Sequence, residues 1–153
     1  MCGSVVGLFA SLNGGVPKPE VSNLLVQQDG CVGDKQNDLK HHGGPNRAVC
    51  LFSSEVLSAL SNEGHPIFPG SVGENVLIEG IDWSLVMIGS RFHFQNVILQ
   101  VTSDAPPCRT IKASFSQHEF MRISMKQHPS STRWYAKVIQ GGELFTGEKV
   151  ELN

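Results

Sequence analysis

Glycine and proline interrupt this chain so often, sixteen and eight times in 153 residues, that long helices are disfavoured and short strands joined by tight turns are expected. The apolar stretches between them agree. Val5 to Phe9 reads as a first strand. Arg47-Ala48-Val49-Cys50-Leu51-Phe52 follows a glycine-rich turn as a nearly continuous apolar run, the pattern of a strand buried on both faces. From Arg91 the pattern alternates. Phe92 and Phe94 share one face, and Val97, Leu99 and Val101 follow after a parity change at Gln95-Asn96, which predicts a hairpin or a bulge. Trp134 to Ile139, the turn Gln140-Gly141-Gly142-Glu143 and Leu144-Phe145 read as a closing hairpin, with Val150-Glu151-Leu152 after it.

Two helices are expected among the strands. Ser53 can cap a short one running through Leu60, with Val56, Leu57 and Leu60 on one side and Gly64 as terminator. Ser116 and Glu119 have the spacing of a capping box, Phe115 and Phe120 that of a hydrophobic staple, and together they predict a second helix to about Lys126. His128-Pro129-Ser130-Ser131 then reads as a surface loop. With few helices and no alternation of strand and helix, the expected fold is mainly β with two or three short helices, a closed or partly open barrel forming one domain over residues 1–153.

Composition narrows the function. An apolar fraction of 40%, a charged fraction of 17% and no apolar run approaching the ~20 residues of a membrane helix describe a globular domain without a membrane span. A net charge of −2 with scattered Lys and Arg, one Tyr and two Trp speaks against nucleic acid as a ligand. No basic residue precedes Lys18, so a secretory signal reads poorly and the expected address is cytoplasmic. The four cysteines, Cys2, Cys31, Cys50 and Cys108, are far apart and form no CxxC pair. Reduced thiols and single-ligand metal chemistry are therefore expected.

Three loops combine glycine with polar or titratable groups. In Gly33 to Arg47, the adjacent Gly43 and Gly44 can bring bare amides against an anion. Arg47 adds a forked donor suited to phosphate. The same residues are compatible with a simple tight turn and a solvated pair of histidines, His41 and His42. In Pro69 to Asn75, Gly73 frees space where Glu74 and Asn75 can orient polar groups, although an ordinary turn explains that segment as well. In Ser103 to Thr110, Pro106 and Pro107 stiffen the backbone before Cys108, and Arg109 and Lys112 supply positive charge that favours a thiolate, both a soft metal ligand and a nucleophile. A lone cysteine can equally be a small core residue, the reading kept for Cys2, Cys31 and Cys50.

Taken together, Gly33-Asp34, His42-Gly43-Gly44 with Arg47-Ala48-Val49, Gly73-Glu74-Asn75, Pro107-Cys108 and Trp134-Tyr135 resemble, in that order, the motif series of MOSC domains, named for the C-terminal region of molybdenum cofactor sulfurases. The resemblance runs from about Pro17 to Glu151. It implies a MOSC-type β-barrel and a pocket for the pterin-based molybdenum cofactor, molybdopterin, with Cys108 as the residue that binds metal or carries sulfur. It places His42, Gly43, Gly44 and Arg47 near the cofactor's phosphate and pterin, with Glu74 and Asn75 closing another side, while Asp34 and Asp38 brace the loop. Two positions depart from the pattern. Ala105-Pro106 stand where many relatives have an arginine before Pro-Cys, which leaves anion binding beside Cys108 to Arg109 or Lys112, and Arg133 stands where many have a glycine.

Resemblance to the mitochondrial amidoxime-reducing component and the bacterial hydroxylaminopurine-resistance proteins implies support of the reduction of N-hydroxylated compounds. The chain reads as a minimal, stand-alone member without their additional segments. No flavin, haem or iron–sulfur motif is present in the sequence, so electrons must come from a separate reductase. Two alternatives stand beside this reading. One is a sulfur or cofactor carrier in which Cys108 takes sulfane sulfur from a separate cysteine desulfurase. The other is a binding module that keeps the barrel without catalysis.

Overall fold

A computed structural model describes residues 1–35 and 43–153. Eleven strands are defined in them: β1 (Cys2–Phe9), β2 (Glu20–Val21), β3 (Asn23–Gln27), β4 (Gly30–Cys31), β5 (Val49–Ser53), β6 (Val76–Glu79), β7 (Arg91–His93), β8 (Ile98–Ala105), β9 (Arg133–Gln140), β10 (Gly142–Phe145) and β11 (Lys149–Leu152). The larger sheet runs β11-β7-β8-β9-β5-β6-β1-β2, and β11 also pairs with β1, so seven strands close into a ring with β2 as an appendage. A small second sheet has the order β10-β3-β4. The expected fold class, a mainly β domain built on a barrel, is the one observed.

Every strand pair is antiparallel except β5–β6, which run parallel with Leu51 opposite Val76. Parallel neighbours cannot be joined by a tight turn. The connection is made instead by the one α-helix among the described residues, α1 (Ser54–Asn62). The Ser53 hydroxyl caps it by accepting from the Val56 amide at 3.2 Å, Leu57 and Leu60 face inward, and Gly64 at φ +100 ends it.

Gln95 and Asn96 form a two-residue hairpin loop, closed by the Phe94 amide donating to the Val97 carbonyl at 2.8 Å. The second expected helix does not form. Residues 109–123 are three short 3-10 turns, Arg109–Ser114, Ser116–His118 and Phe120–Ile123, and the Ser116 hydroxyl caps none of them. Gln117 and His118 hold φ of +55 and +58, which no α-helix of L-residues tolerates, so the capping-box spacing is present without the geometry.

Strand parity sorts the core into an inside and an outside. Val49 and Leu51 of β5, Leu99 and Val101 of β8, and Trp134 and Ala136 of β9 fill the barrel interior. Phe52 of β5 packs outside with Leu57, Leu60, Ile111, Phe115 and Ile123, so α1 and the 3-10 turns cover one flank of the barrel. Each of these fully buried large side chains contributes roughly 1.5–3 kcal/mol over its exposed state. Cys50, Ala105 and Tyr135 form a small third cluster on the same outer face.

Candidate cofactor pocket

The outer face of the β5–β9–β8 junction is where the sequence-derived loops converge. Cys50 on β5 pairs with Tyr135 on β9, and Ala105 at the end of β8 pairs with Arg133 at the start of β9. Because Trp134 points into the barrel, Arg133 and Tyr135 share the opposite face. Above them opens a cleft of about 150 Å³. Its wall contains Lys18, Lys35, Arg47 and Arg133 as cations, Cys50 and Cys108 as thiols and, among the described residues, no carboxylate.

Arg47 and Cys108 therefore open onto one cavity. Arg47 ends a 3-10 turn, Pro45–Arg47, whose position is held by the Thr102 hydroxyl donating to the Asn46 carbonyl, across from β8. Gly44 precedes this turn at φ +79, ψ 174, a region closed to side-chain-bearing residues, and Gly43 is at φ +80. Neither glycine is in the wall of this cavity; Gly43 lines a separate hollow with Cys31 and Asp34. His42 and Asp38 lie outside the described residues.

Cys108 is half-buried and stands immediately before the 3-10 turn Arg109–Ser114, with Sγ 2.8 Å from the Thr110 hydroxyl. The stiffness expected of Pro106-Pro107 is reinforced from β9. The Arg133 guanidinium donates through Nη2 to the Ala105 and Pro106 carbonyls, both at 3.2 Å, and through Nη1 to the Val72 carbonyl at 2.6 Å. It ties the segment before Cys108 to the Gly70–Gly73 turn. Arg109 and Lys112 are exposed and are not in the wall; the positive charge there comes from Lys18, Lys35, Arg47 and Arg133 instead.

Asn75 lines the cavity and also ties together the elements around it. Its Oδ1 accepts from the Cys50 amide at 3.0 Å, and its Nδ2 donates to the Phe9 carbonyl at 3.1 Å and to Asp34 Oδ2 at 2.9 Å. Asp34 Oδ2 also receives Lys18 Nζ at 2.7 Å, so Asp34 braces the first loop from behind the wall. Glu74 is fully buried and is not in the wall; its carboxylate accepts from the Gly70 amide at 3.0 Å and the Val72 amide at 3.3 Å. Burial pushes its pKa up to about 7 against these two bonds and the nearby Arg133 charge. Burial also raises the Cys50 and Cys31 thiols and the Tyr135 hydroxyl, so these groups are neutral near pH 7.

Lys18, Lys35, Cys50, Arg133 and Tyr135 were not among the expected site residues. Period-two parity around Trp134 places Arg133 and Tyr135 together, and the same parity around Leu51 singles out Cys50. No local pattern marks Lys18 or Lys35.

Comparison with known proteins agrees with this architecture. The chain is 28% identical over 136 residues to YflK of Bacillus subtilis (strain 168), covering 88% of this chain and 61% of that protein. It is 26% identical over 133 residues to protein YiiM of Escherichia coli (strain K12), covering 84% of this chain and 58% of YiiM. It thus spans about three fifths of the length of these relatives. In three dimensions it is similar to the YUAD protein from B. subtilis, with TM-score 0.75 and 19% identity over 99% of this chain and 96% of that one. It is also similar to the crystal structure of YiiM from E. coli, with TM-score 0.72 and 23% identity over 100% and 70% of the two chains. The model of the MOSC domain matches residues 38–151, and with it the chain belongs to the MOSC domain family.

Proposed function

We propose that the cleft binds the molybdenum cofactor, with the Cys108 thiolate as the protein's ligand to the metal, and that the protein supports reduction of N-hydroxylated compounds in the cytoplasm. The observation that carries this reading is a cavity that holds a half-buried thiol and four cationic side chains with, among the described residues, no carboxylate in its wall. A soft sulfur donor suits molybdenum, and the cations suit the phosphate of a pterin cofactor. Among the described residues no cluster of three or more His, Cys, Asp or Glu is placed to hold a metal ion, so a metal here would rest on one thiolate and on ligands the cofactor brings. Among those residues, too, no helix is long and apolar enough to cross a membrane.

When bound, the cofactor supplies the two-electron redox chemistry. The chain's own residues would bind and enclose it, with Arg47, Lys35, Gly73, Asn75 and Cys108 all lining the cleft. Electrons come from a separate reductase. The half-buried position of Cys108 in the cleft wall, beside the Thr110 hydroxyl, also suits the carrier reading, in which a desulfurase delivers sulfane sulfur to it. Expression in a cofactor-competent host, followed by assay of bound molybdenum and pterin and of N-hydroxylated base reduction with a generic electron donor, tests the proposal. Molybdenum and pterin together with turnover support the enzyme, persulfide on Cys108 without molybdenum supports the carrier, and neither one overturns both.

A further inference from the structure

Arg133 is 4% exposed, yet among the described residues no carboxylate of the cavity wall neutralises it. Its three hydrogen bonds all go to uncharged backbone carbonyls, those of Val72, Ala105 and Pro106, out of the five N–H donors a guanidinium has. Nε is buried and donates to no atom. Among the described residues no carboxylate lies within ion-pair distance of it. Glu74 is the acidic group that acts on it electrostatically, but that carboxyl is spent on the Gly70 and Val72 amides and, at a pKa of about 7, is only partly ionised at neutral pH. A buried cation without a counter-charge is unfavourable and calls for an anion.

The space for one is present. Arg133 lines the cavity, and Gly73 in the same wall, at φ +80, carries no side chain; a Cβ built there would meet Val16 Cγ1 at 3.3 Å and come within 4.0 Å of Arg133 Nη1. Lys18, the other buried cation of the wall, is already paired with Asp34.

We infer that Arg133 is the fixed anion-binding group in the wall of the cavity, and that it takes a tetrahedral oxyanion of the phosphate class, either free or as the terminal group of a larger ligand. This deepens the cofactor reading and rests on it only in placing a ligand in this cleft. The charge is preorganised: the same carbonyls that hold the Pro106-Pro107-Cys108 segment hold the guanidinium, so an anion meets a donor that does not have to be ordered on binding.

The test uses the full chain produced without cofactor, titrated with inorganic phosphate, with phenyl phosphate and with chloride at matched ionic strength. Thermal unfolding and the side-chain Nε–H resonance of Arg133, assigned by its loss in Arg133→Lys, are followed together. A saturable rise in unfolding midpoint with both phosphates, a shift of the Arg133 resonance, and binding at least tenfold weaker in Arg133→Gln are expected. Tighter binding of phenyl phosphate assigns the anion to a larger ligand, and equal binding assigns it to a free oxyanion. If Arg133→Gln does not fold, Arg133→Lys and the wild-type resonance carry the decision. An unmoved resonance at saturating phosphate, binding by Arg133→Gln within twofold of wild type, or a midpoint that follows ionic strength alone overturns the inference. Molybdenum and pterin content do not enter these readouts, so the two proposals fail separately.

Discussion

Lys18 Nζ and Asp34 Oδ2 lie 2.7 Å apart with side chains only 6% and 2% exposed, forming a buried ion pair that joins the segment before β2 to the loop leading toward the pocket. Asp34 also accepts from the Ser11 amide at 2.9 Å and from Asn75 Nδ2 at 2.9 Å. Asp34→Ala therefore strands a buried ammonium and two buried donors. It should cost about 3–5 kcal/mol, the range for breaking a buried pair from one side. Urea unfolding with an unchanged slope would show this as a lowered midpoint, and a loss below ~1 kcal/mol would mean that the pair is not a brace.

Glu74 makes stability depend on pH. Its folded value of about 7 lies above the ordinary 4.5, so the native state binds the extra proton between those limits and stability falls as pH rises through that window. The full effect is about 3 kcal/mol, lost progressively from pH ~5 to above 7. Glu74→Gln keeps one of the two acceptors and cannot ionise, so its stability should be flat across the same range. Denaturant midpoints of both proteins at pH 5, 6, 7 and 8 check this, and parallel curves would remove Glu74 as the cause.

The four thiols divide sharply. Cys31 and Cys50 are buried, with pKa values raised by burial, whereas Cys2 is exposed and Cys108 half-exposed. Iodoacetamide at neutral pH should label Cys2 and Cys108 in the folded protein, and the other two only after unfolding. Loaded cofactor should protect Cys108 and leave Cys2 reactive. Peptide mass spectrometry reads the pattern, and protection of Cys2 instead would move the ligand away from this cavity.

Cys108→Ser should fold with a stability change within ~0.5 kcal/mol, since the side chain is half-exposed and nearly isosteric. It should retain no molybdenum, while Cys2→Ser retains the wild-type amount. Metal analysis after purification from the same host decides, and full molybdenum in Cys108→Ser would leave the cationic residues as the sole support for the cofactor.

Gly44 separates backbone strain from steric exclusion. A Cβ there would meet no atom of the described residues within 4 Å, so the cost of Gly44→Ala comes from φ +79, ψ 174 and should be about 1–3 kcal/mol. Asparagine, which tolerates the left-handed helical region, should not rescue it, because this ψ lies outside that region. Thermal unfolding of the two variants compares them, and a stable Gly44→Asn would show that the turn readjusts.

The barrel, its closing hairpins and the capped α1 follow from features that act over a few residues. Period-two alternation around Phe92 and Trp134, a polar turn at Gln95-Asn96 and a serine cap at Ser53 are local, and local signals are written into consecutive side chains. The loops around Arg47, Asn75 and Cys108 were recognisable for the same reason, as glycine and proline constrain their own backbone. The capping-box spacing of Ser116 and Glu119 failed because packing of Phe115 and Ile123 against the barrel flank holds the chain in 3-10 turns, a demand made by distant residues. The charge of the pocket belongs to that second class. Arg133 and Lys18 become cavity cations, and Arg109 does not, because strand register, burial and the Asp34 pair assign them so; these relations join residues dozens of positions apart, and no stretch of sequence contains both ends of them.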